Sequence, residues 1–157
     1  MSIEKGRAYF RALGMEDRVR EFAVSSATVD LAAQALGVEG ARIAKTLSFK
    51  TEEGCMLILA AGDARIDNKK FRERFHFKAR MLSAEEVPEL VGHPVGGVCP
   101  FGCKDGIPVY LDESLQRFET VFPAVGSPSS AIELNLEELF RTSRALAWVD
   151  VCRIPEA

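Results

Sequence analysis

The sequence predicts an α+β fold: a mixed or antiparallel β-sheet, curled toward a barrel, with helices outside it. Three observations carry this. Helix-like and strand-like stretches are interspersed along 157 residues. The strands fall at hairpin-like spacings that a regular parallel βαβ sheet does not use. No internal repeat, low-complexity tract or linker interrupts the chain. With 47% hydrophobic and 27% charged residues, residues 1–157 are expected to form one domain with a core that needs no disulfide staples.

Each element has its own signal. Ile3–Leu13 makes an amphipathic helix, and Glu21–Val24 reads as a short strand. Thr28 then N-caps a helix with Asp30 in its first turn and Gly37 as its stop; its apolar face is Val29, Ala32, Ala33 and Leu36. Strands Ile43–Lys50 and Cys55–Ala61 flank a hairpin turn at Thr51–Gly54. Asp67 caps a helix running to Phe75, and His76–Met81 reads as another strand. Ser83 with Glu86 matches a capping box for a short helix ending at Val91. A glycine- and proline-rich loop covers Gly92–Gly106, followed by strands Ile107–Leu111, Thr120–Val125 and Ala131–Leu134. Asn135 and Glu138 repeat the capping-box pattern before helix Leu136–Thr142, and strand Ala147–Arg153 closes the order.

Composition excludes several classes. No run approaches the roughly 18 apolar residues that span a bilayer, and Met1–Gly14 holds no apolar stretch resembling a secretory signal. A cytoplasmic protein with no membrane partner is expected. Four scattered cysteines, with Cys55 and Cys152 in apolar runs, require no disulfide. Net charge is −3, so the whole chain is no polyanion magnet. Locally, however, Arg65, Lys69, Lys70, Arg72, Arg74, Lys78 and Arg80 face only Asp63, Asp67 and Glu73. Such a segment is either a solvated helix face or a surface for a phosphate backbone.

Lys45 is the most informative single residue. Strand alternation puts Ile43, Lys45, Leu47 and Phe49 on one face, so a lysine lies on the apolar side of its strand. Either it snorkels at the strand end, or its ammonium meets a partner or an anionic ligand. The loop Gly92-His-Pro-Val-Gly96-Gly97-Val98-Cys99-Pro100-Phe101-Gly102 is the second feature. Its glycines can turn backbone N–H groups toward one point, as an oxyanion requires, or simply make a surface turn. It has neither the Walker nor the dinucleotide spacing. Cys99, Cys103 and His93 lack the paired C-x-x-C of structural zinc, so no metal or cofactor is expected. A nucleophilic pair of Cys99 with His93 or His76 is conceivable on paper, but no spacing identifies one. Ser127-Pro-Ser129-Ser130 reads as turn chemistry, without a G-x-S-x-G elbow.

Together these residues resemble the YbaK and prolyl-tRNA-synthetase-associated editing-domain family. The likeness runs from Thr28 to Phe140. It covers the Leu31–Gly37 helix, Ala-Lys45-Thr46-Leu, Gly92-x-x-x-Gly96-Gly97-x-x-Pro100-x-Gly102, Gly126 just after a strand, and Ile132-Glu133-Leu134. The resemblance implies a mixed, partly closed β-barrel flanked by α-helices. It also implies trans-acting hydrolysis of the ester of a mischarged aminoacyl-tRNA, usually a tRNA for proline. By that likeness Lys45, Gly96 and Gly97 are catalytic, while Thr28, Thr46, Gly92, Val98, Cys99, Pro100, Phe101, Gly126 and Ala131 bind substrate. Lys69, Lys70 and Arg72 then meet the tRNA, and a synthetase or elongation factor is an expected partner. Members acting on cysteinyl-tRNA have Asp where this chain has Ala131, and often Ser at Cys99, so a cysteine-specific pocket is not expected. The alternative is a non-catalytic module that binds a tRNA end or a partner on the same scaffold.

Overall fold

The computed structural model describes residues 2–22 and 28–155. Its helices are α1 (Ser2–Ala12), α2 (Val29–Leu36), α3 (Asn68–Phe75), α4 (Glu86–Leu90) and α5 (Leu136–Thr142). Its strands are β1 (Val19–Glu21), β2 (Ile43–Thr51), β3 (Gly54–Ala61), β4 (Arg65–Ile66), β5 (Val109–Asp112), β6 (Thr120–Pro123), β7 (Ser130–Ile132), β8 (Leu134–Asn135), β9 (Ala147–Val149) and β10 (Cys152–Arg153).

Six strands form one mixed sheet in the order β8-β6-β2-β3-β5-β9. The β2–β3 hairpin is antiparallel, with Thr51 opposite Gly54, while β6, β5 and β9 add in parallel. β3 is central, and Leu57, Ile58, Leu59, Ala60 and Ala61 are each 0% exposed. An unbroken apolar run is what a strand covered on both faces requires. Two antiparallel ribbons, β1–β7 and β4–β10, continue the curl beyond the main sheet. The structure is thus the mixed α+β architecture that the sequence predicts.

Local signals place most helix ends. Thr28 Oγ1 accepts from the Leu31 N–H, and Gly37 ends α2 in the left-handed region at φ 70°. Asp67 accepts from the N–H groups of Lys69 and Lys70 at the start of α3. Asn135 and Glu138 form the reciprocal capping box of α5, and Arg18 also grips Glu138 at 2.6 Å. That guanidinium, joined by the Asn135 N–H, holds the Glu138 carboxyl down at about 2.

Four expectations need correction. His76–Met81 is not a strand: His76 sits at φ 65° as the C-cap of α3, and only Met81 bridges to Phe49. Ala131–Leu134 divides at Glu133, because β7 pairs with β1 while β8 pairs with β6. Ala147–Arg153 divides likewise, β9 going to β5 and β10 to β4. The expected strand Glu21–Val24 is observed at Val19–Glu21, and its residues 23–24 lie outside the described residues. β4 was not foreseen, since two residues carry no periodicity.

Candidate active site

The site begins where the sheet comes apart. The outer edge of β2 pairs with β6 only at Ile43 and Ala44, opposite Phe122 and Pro123. Proline has no N–H to continue the ladder, and β6 ends there. Further along the same edge, the Leu82 N–H donates to the Ser48 carbonyl and the Lys50 N–H to the Arg80 carbonyl. Alternation along a strand therefore turns the N–H and C=O of Thr46 toward the unpaired stretch between these two contacts.

A cavity of 470 Å³ fills that gap. Its walls are α2 (Val29, Ala32, Leu36), β2 from Ile43 to Ser48, residues Met81 to Val87, the loop at Val95, Gly96 and Val98, and the segment Phe122 to Ala131. The volume falls in the range of small-molecule sites. The walls are mostly apolar, and Lys45 is the one ionisable side chain among them. Met81 and Val95, 55% and 54% exposed, form an apolar rim.

Lys45 is half-buried, and its ammonium donates to the carbonyls of Gly62 (3.4 Å) and Ala64. Burial lowers its pKa below the usual 10.5, opposed by the nearby Cys152 and Asp63 and aided by Arg65. The turn that supplies those carbonyls depends on Gly62, where a Cβ would lie 2.1 Å from the Gly40 oxygen. Thr46 Oγ1 is buried in the same wall with no hydrogen-bond partner. An orphaned hydroxyl costs about 1–3 kcal/mol, which a bound ligand would relieve.

The glycine loop splits in two. Gly96 and Val98 line the cavity, and their N–H groups donate to no other protein group among the described residues. Gly97 does not line it, and its N–H is engaged by the Pro94 carbonyl at 2.9 Å. Its part is close approach: a Cβ there would lie 2.5 Å from the Gly126 oxygen. Gly126 itself turns at φ 90°, so the two glycines lock the loop backbone-to-backbone. This corrects Gly97 as an amide donor. Cys99, Pro100 and Phe101 are buried behind the wall and do not line the cavity. Gly92, at φ 93°, lies away from it, with its carbonyl accepting from Lys5 at 3.1 Å. Thr28 and Ala131 do line it.

Behind the wall, His93 and Cys99 approach to 3.5 Å. They do not make a nucleophile. Cys99 is 0% exposed, and burial pushes its thiol up to about 12, only partly offset by hydrogen bonds from the backbone. His93 Nε2 faces the Phe101 carbonyl at 2.8 Å, and burial lowers its pKa, so the ring is neutral. Among the described residues no cluster of three or more His, Cys, Asp or Glu side chains could hold a metal ion. Nor is any helix there long and apolar enough to cross a membrane.

The basic segment borders the cavity at both ends, through Ala64 beside Lys45 and through Met81 on the rim. Lys69 and Arg72 are exposed and have no side-chain partner among the described residues, whereas Lys70 binds Asp150 (3.0 Å) and the Cys152 carbonyl (2.9 Å). Sequence reasoning missed the α2 wall, the Gly62 and Ala64 carbonyls, and Ser127 and Ser130, whose hydroxyls lie 3.0 Å apart in the far wall. The A-A-G-D turn after β3 is the single signal that pointed toward the carbonyl pair.

The chain is similar to known proteins. It is 55% identical over 154 residues to the uncharacterized protein YwhH of Bacillus subtilis, covering 98% of each chain. It is 28% identical over 126 residues to the proline–tRNA ligase of Thermosipho melanesiensis, matching 79% of this chain but 22% of that enzyme. A crystal structure of a protein proposed to be a trans-editing enzyme for prolyl-tRNA synthetase superposes with a TM-score of 0.87 at 33% identity, covering 97% of both chains. The sequence profile of the aminoacyl-tRNA editing domain matches residues 24–142, which hold the cavity, Lys45 and the glycine loop. The chain belongs to the aminoacyl-tRNA editing domain family.

Proposed function

We propose that this protein hydrolyses the ester of mischarged aminoacyl-tRNA in trans, with a tRNA for proline as its substrate. The observation that carries this reading is one cavity that joins the Lys45 ammonium, the unpaired edge at Thr46 and the free N–H groups of Gly96 and Val98. The likeness to a segment of proline–tRNA ligases supports the choice of tRNA.

The chemistry asks for little. An aminoacyl ester is already activated, so orientation and modest oxyanion stabilisation suffice without a triad. Among the described residues no carboxylate or imidazole lines the cavity to act as a general base. Water therefore attacks the ester carbonyl, and its proton passes, directly or through a neighbouring hydroxyl of the substrate's own ribose, to the departing ribose oxygen. The N–H groups of Gly96 and Val98 take the developing oxyanion, and Lys45 holds the ribose end. The apolar walls leave the tRNA phosphates outside and admit a small amino-acid side chain.

A panel of mischarged tRNAs incubated with the protein tests the proposal. Loss of aminoacyl ester above the buffer rate, abolished by Lys45→Ala with an unchanged circular dichroism spectrum, is expected. No turnover with any tRNA, while tRNA still binds, would instead make the chain a binding module.

A further inference from the structure

The β4–β10 ribbon sets Arg65 directly opposite Arg153. In an antiparallel ribbon, opposite residues share a face with Cβ atoms about 4.5–5.5 Å apart. The companion pair, Cys152 opposite Ile66, turns inward, with Cys152 buried, while both arginines are exposed. Like charges directly opposite each other destabilise a sheet, so the ribbon carries this pair at a cost.

Among the described residues, four aspartates that flank the two strands or pack near them are otherwise engaged. Asp63 is held by Arg117 at 2.6 Å, Asp67 caps α3, Asp150 binds Lys70 at 3.0 Å, and Asp112 accepts from the N–H groups of Ser114 and Val151. Among the described residues neither Arg65 nor Arg153 has a hydrogen bond or ion pair. The pair also has a definite address, because Lys45 of the cavity wall donates to the carbonyl of Ala64, the residue before Arg65. Two guanidinium forks on one face of this ribbon match the geometry of a phosphate. Arg153 lies beyond residues 24–142, the part shared across the family profile, so this feature is not implied by family membership.

We propose that Arg65 and Arg153 clamp a phosphodiester of the RNA 3′ end whose terminal ester enters the cavity. This rests on the tRNA reading above. The clamp sets the direction of the strand: from the cavity, past Lys45, onto the ribbon and toward the exposed Lys69 and Arg72 of α3. Lys70 serves a different end, tying α3 to β10 so that the ribbon is held in place.

Two variants test it, Arg153→Glu and the double Arg65→Ala/Arg153→Ala, with Arg141→Glu on α5 as a charge-matched control. Binding of a labelled ribo-oligonucleotide ending in CCA, read by fluorescence anisotropy, needs no turnover. Both variants should weaken it by about tenfold. The double variant should also make the salt slope shallower by about 0.7, the value for one single-strand phosphate contact. Arg153→Glu should meanwhile raise Tm, because it replaces repulsion across the ribbon with attraction. Unchanged affinity alongside a raised Tm would overturn the clamp. In kinetics, KM should rise for the mischarged tRNA but not for the same amino acid esterified to adenosine, which has no phosphodiester. An equal loss on both substrates would also overturn it. Failure of the wild type to hydrolyse either ester would count against the deacylase reading alone, leaving the anisotropy result to decide the clamp.

Discussion

Two polar clusters, His93 and Cys99 within the glycine loop and Lys45 with Thr46 on β2, differ in what surrounds them. His93 and Cys99 look like a catalytic pair, a ring nitrogen 3.5 Å from a thiol. Yet both are sealed from solvent, the thiol is pushed up to about 12, and each group is turned to the Phe101 carbonyl. Lys45 looks like poor chemistry, an ammonium held by two carbonyls. It nevertheless opens onto a cavity beside an orphaned hydroxyl and unengaged amides. Reactivity depends on a lowered or poised pKa together with access. The sealed pair is packing, and the open lysine is the one the proposed function uses.

The sharpest test of that contrast is to remove each side. Lys45→Ala should lower deacylation by about a hundredfold or more, measured as kcat/KM on mischarged tRNA. Its stability should not fall, because the variant also removes a desolvated charge. Cys99→Ala should do the reverse, costing about 1 kcal/mol in denaturant unfolding with kcat/KM within about twofold of wild type. If Cys99→Ala abolished activity in a folded protein, the comparison would collapse.

Gly97→Ala probes the joint between the two regions and should have the next largest effect. A methyl group 2.5 Å from the Gly126 oxygen forces the loop off the turn it rests on. Overpacking of this kind costs about 1–3 kcal/mol, and displacing the Gly96 and Val98 amides should lower kcat by about tenfold. Gly96→Ala, on the exposed side of the joint, should perturb Tm less than Gly97→Ala; the reverse order would mean that the loop is not anchored at Gly126.

The two clusters also predict pH dependences of the same sign in separate ranges, the sealed one on the acidic side and the open one on the alkaline side. Burial lowers the His93 pKa, so the unfolded chain binds the proton more readily than the folded one. Stability from this group is present above 6.5 and is lost as pH falls from 6.5 through the lowered folded value. The Lys45 pKa is also lowered, but from 10.5, so its desolvation penalty is full at neutral pH and lifts only as pH rises through the folded value toward 10.5. Urea unfolding of wild type and His93→Gln on the acidic side should show a slope in the first that is missing in the second.

Much of this contrast was legible in the sequence, and the missing part has a physical cause. Capping pairs such as Asn135/Glu138 and stops such as Gly37 act within four residues, so they read correctly. Lys45 stood out because one cation breaks a period-two apolar pattern. The split of Ala131–Leu134 between β1 and β6 did not show, since both halves are apolar and partner choice is a property of distant strands. His76–Met81 failed for the same reason: its aromatic residues favour a strand, but the αL cap at His76 turns it along the β2 edge. The loop glycines could be found by composition. Which of them faces the cavity and which the Gly126 turn required the fold.

The smallest expected effect is the most discriminating for how the cavity works. Thr46→Val keeps the shape of the side chain and removes only Oγ1, which has no partner in the free protein. If the hydroxyl waits for substrate, the free enzyme should gain stability, by about 1 kcal/mol, from losing an unsatisfied buried group. The complex should lose one hydrogen bond, raising KM severalfold with kcat little changed. If Thr46 were mere packing, neither parameter would move, while a matching fall in kcat would place the hydroxyl at the reacting ester instead. The same substitution separates side chain from backbone. The N–H and C=O of Thr46 on the open β2 edge survive in the valine variant, so any binding that remains measures what the gap in the sheet contributes by itself.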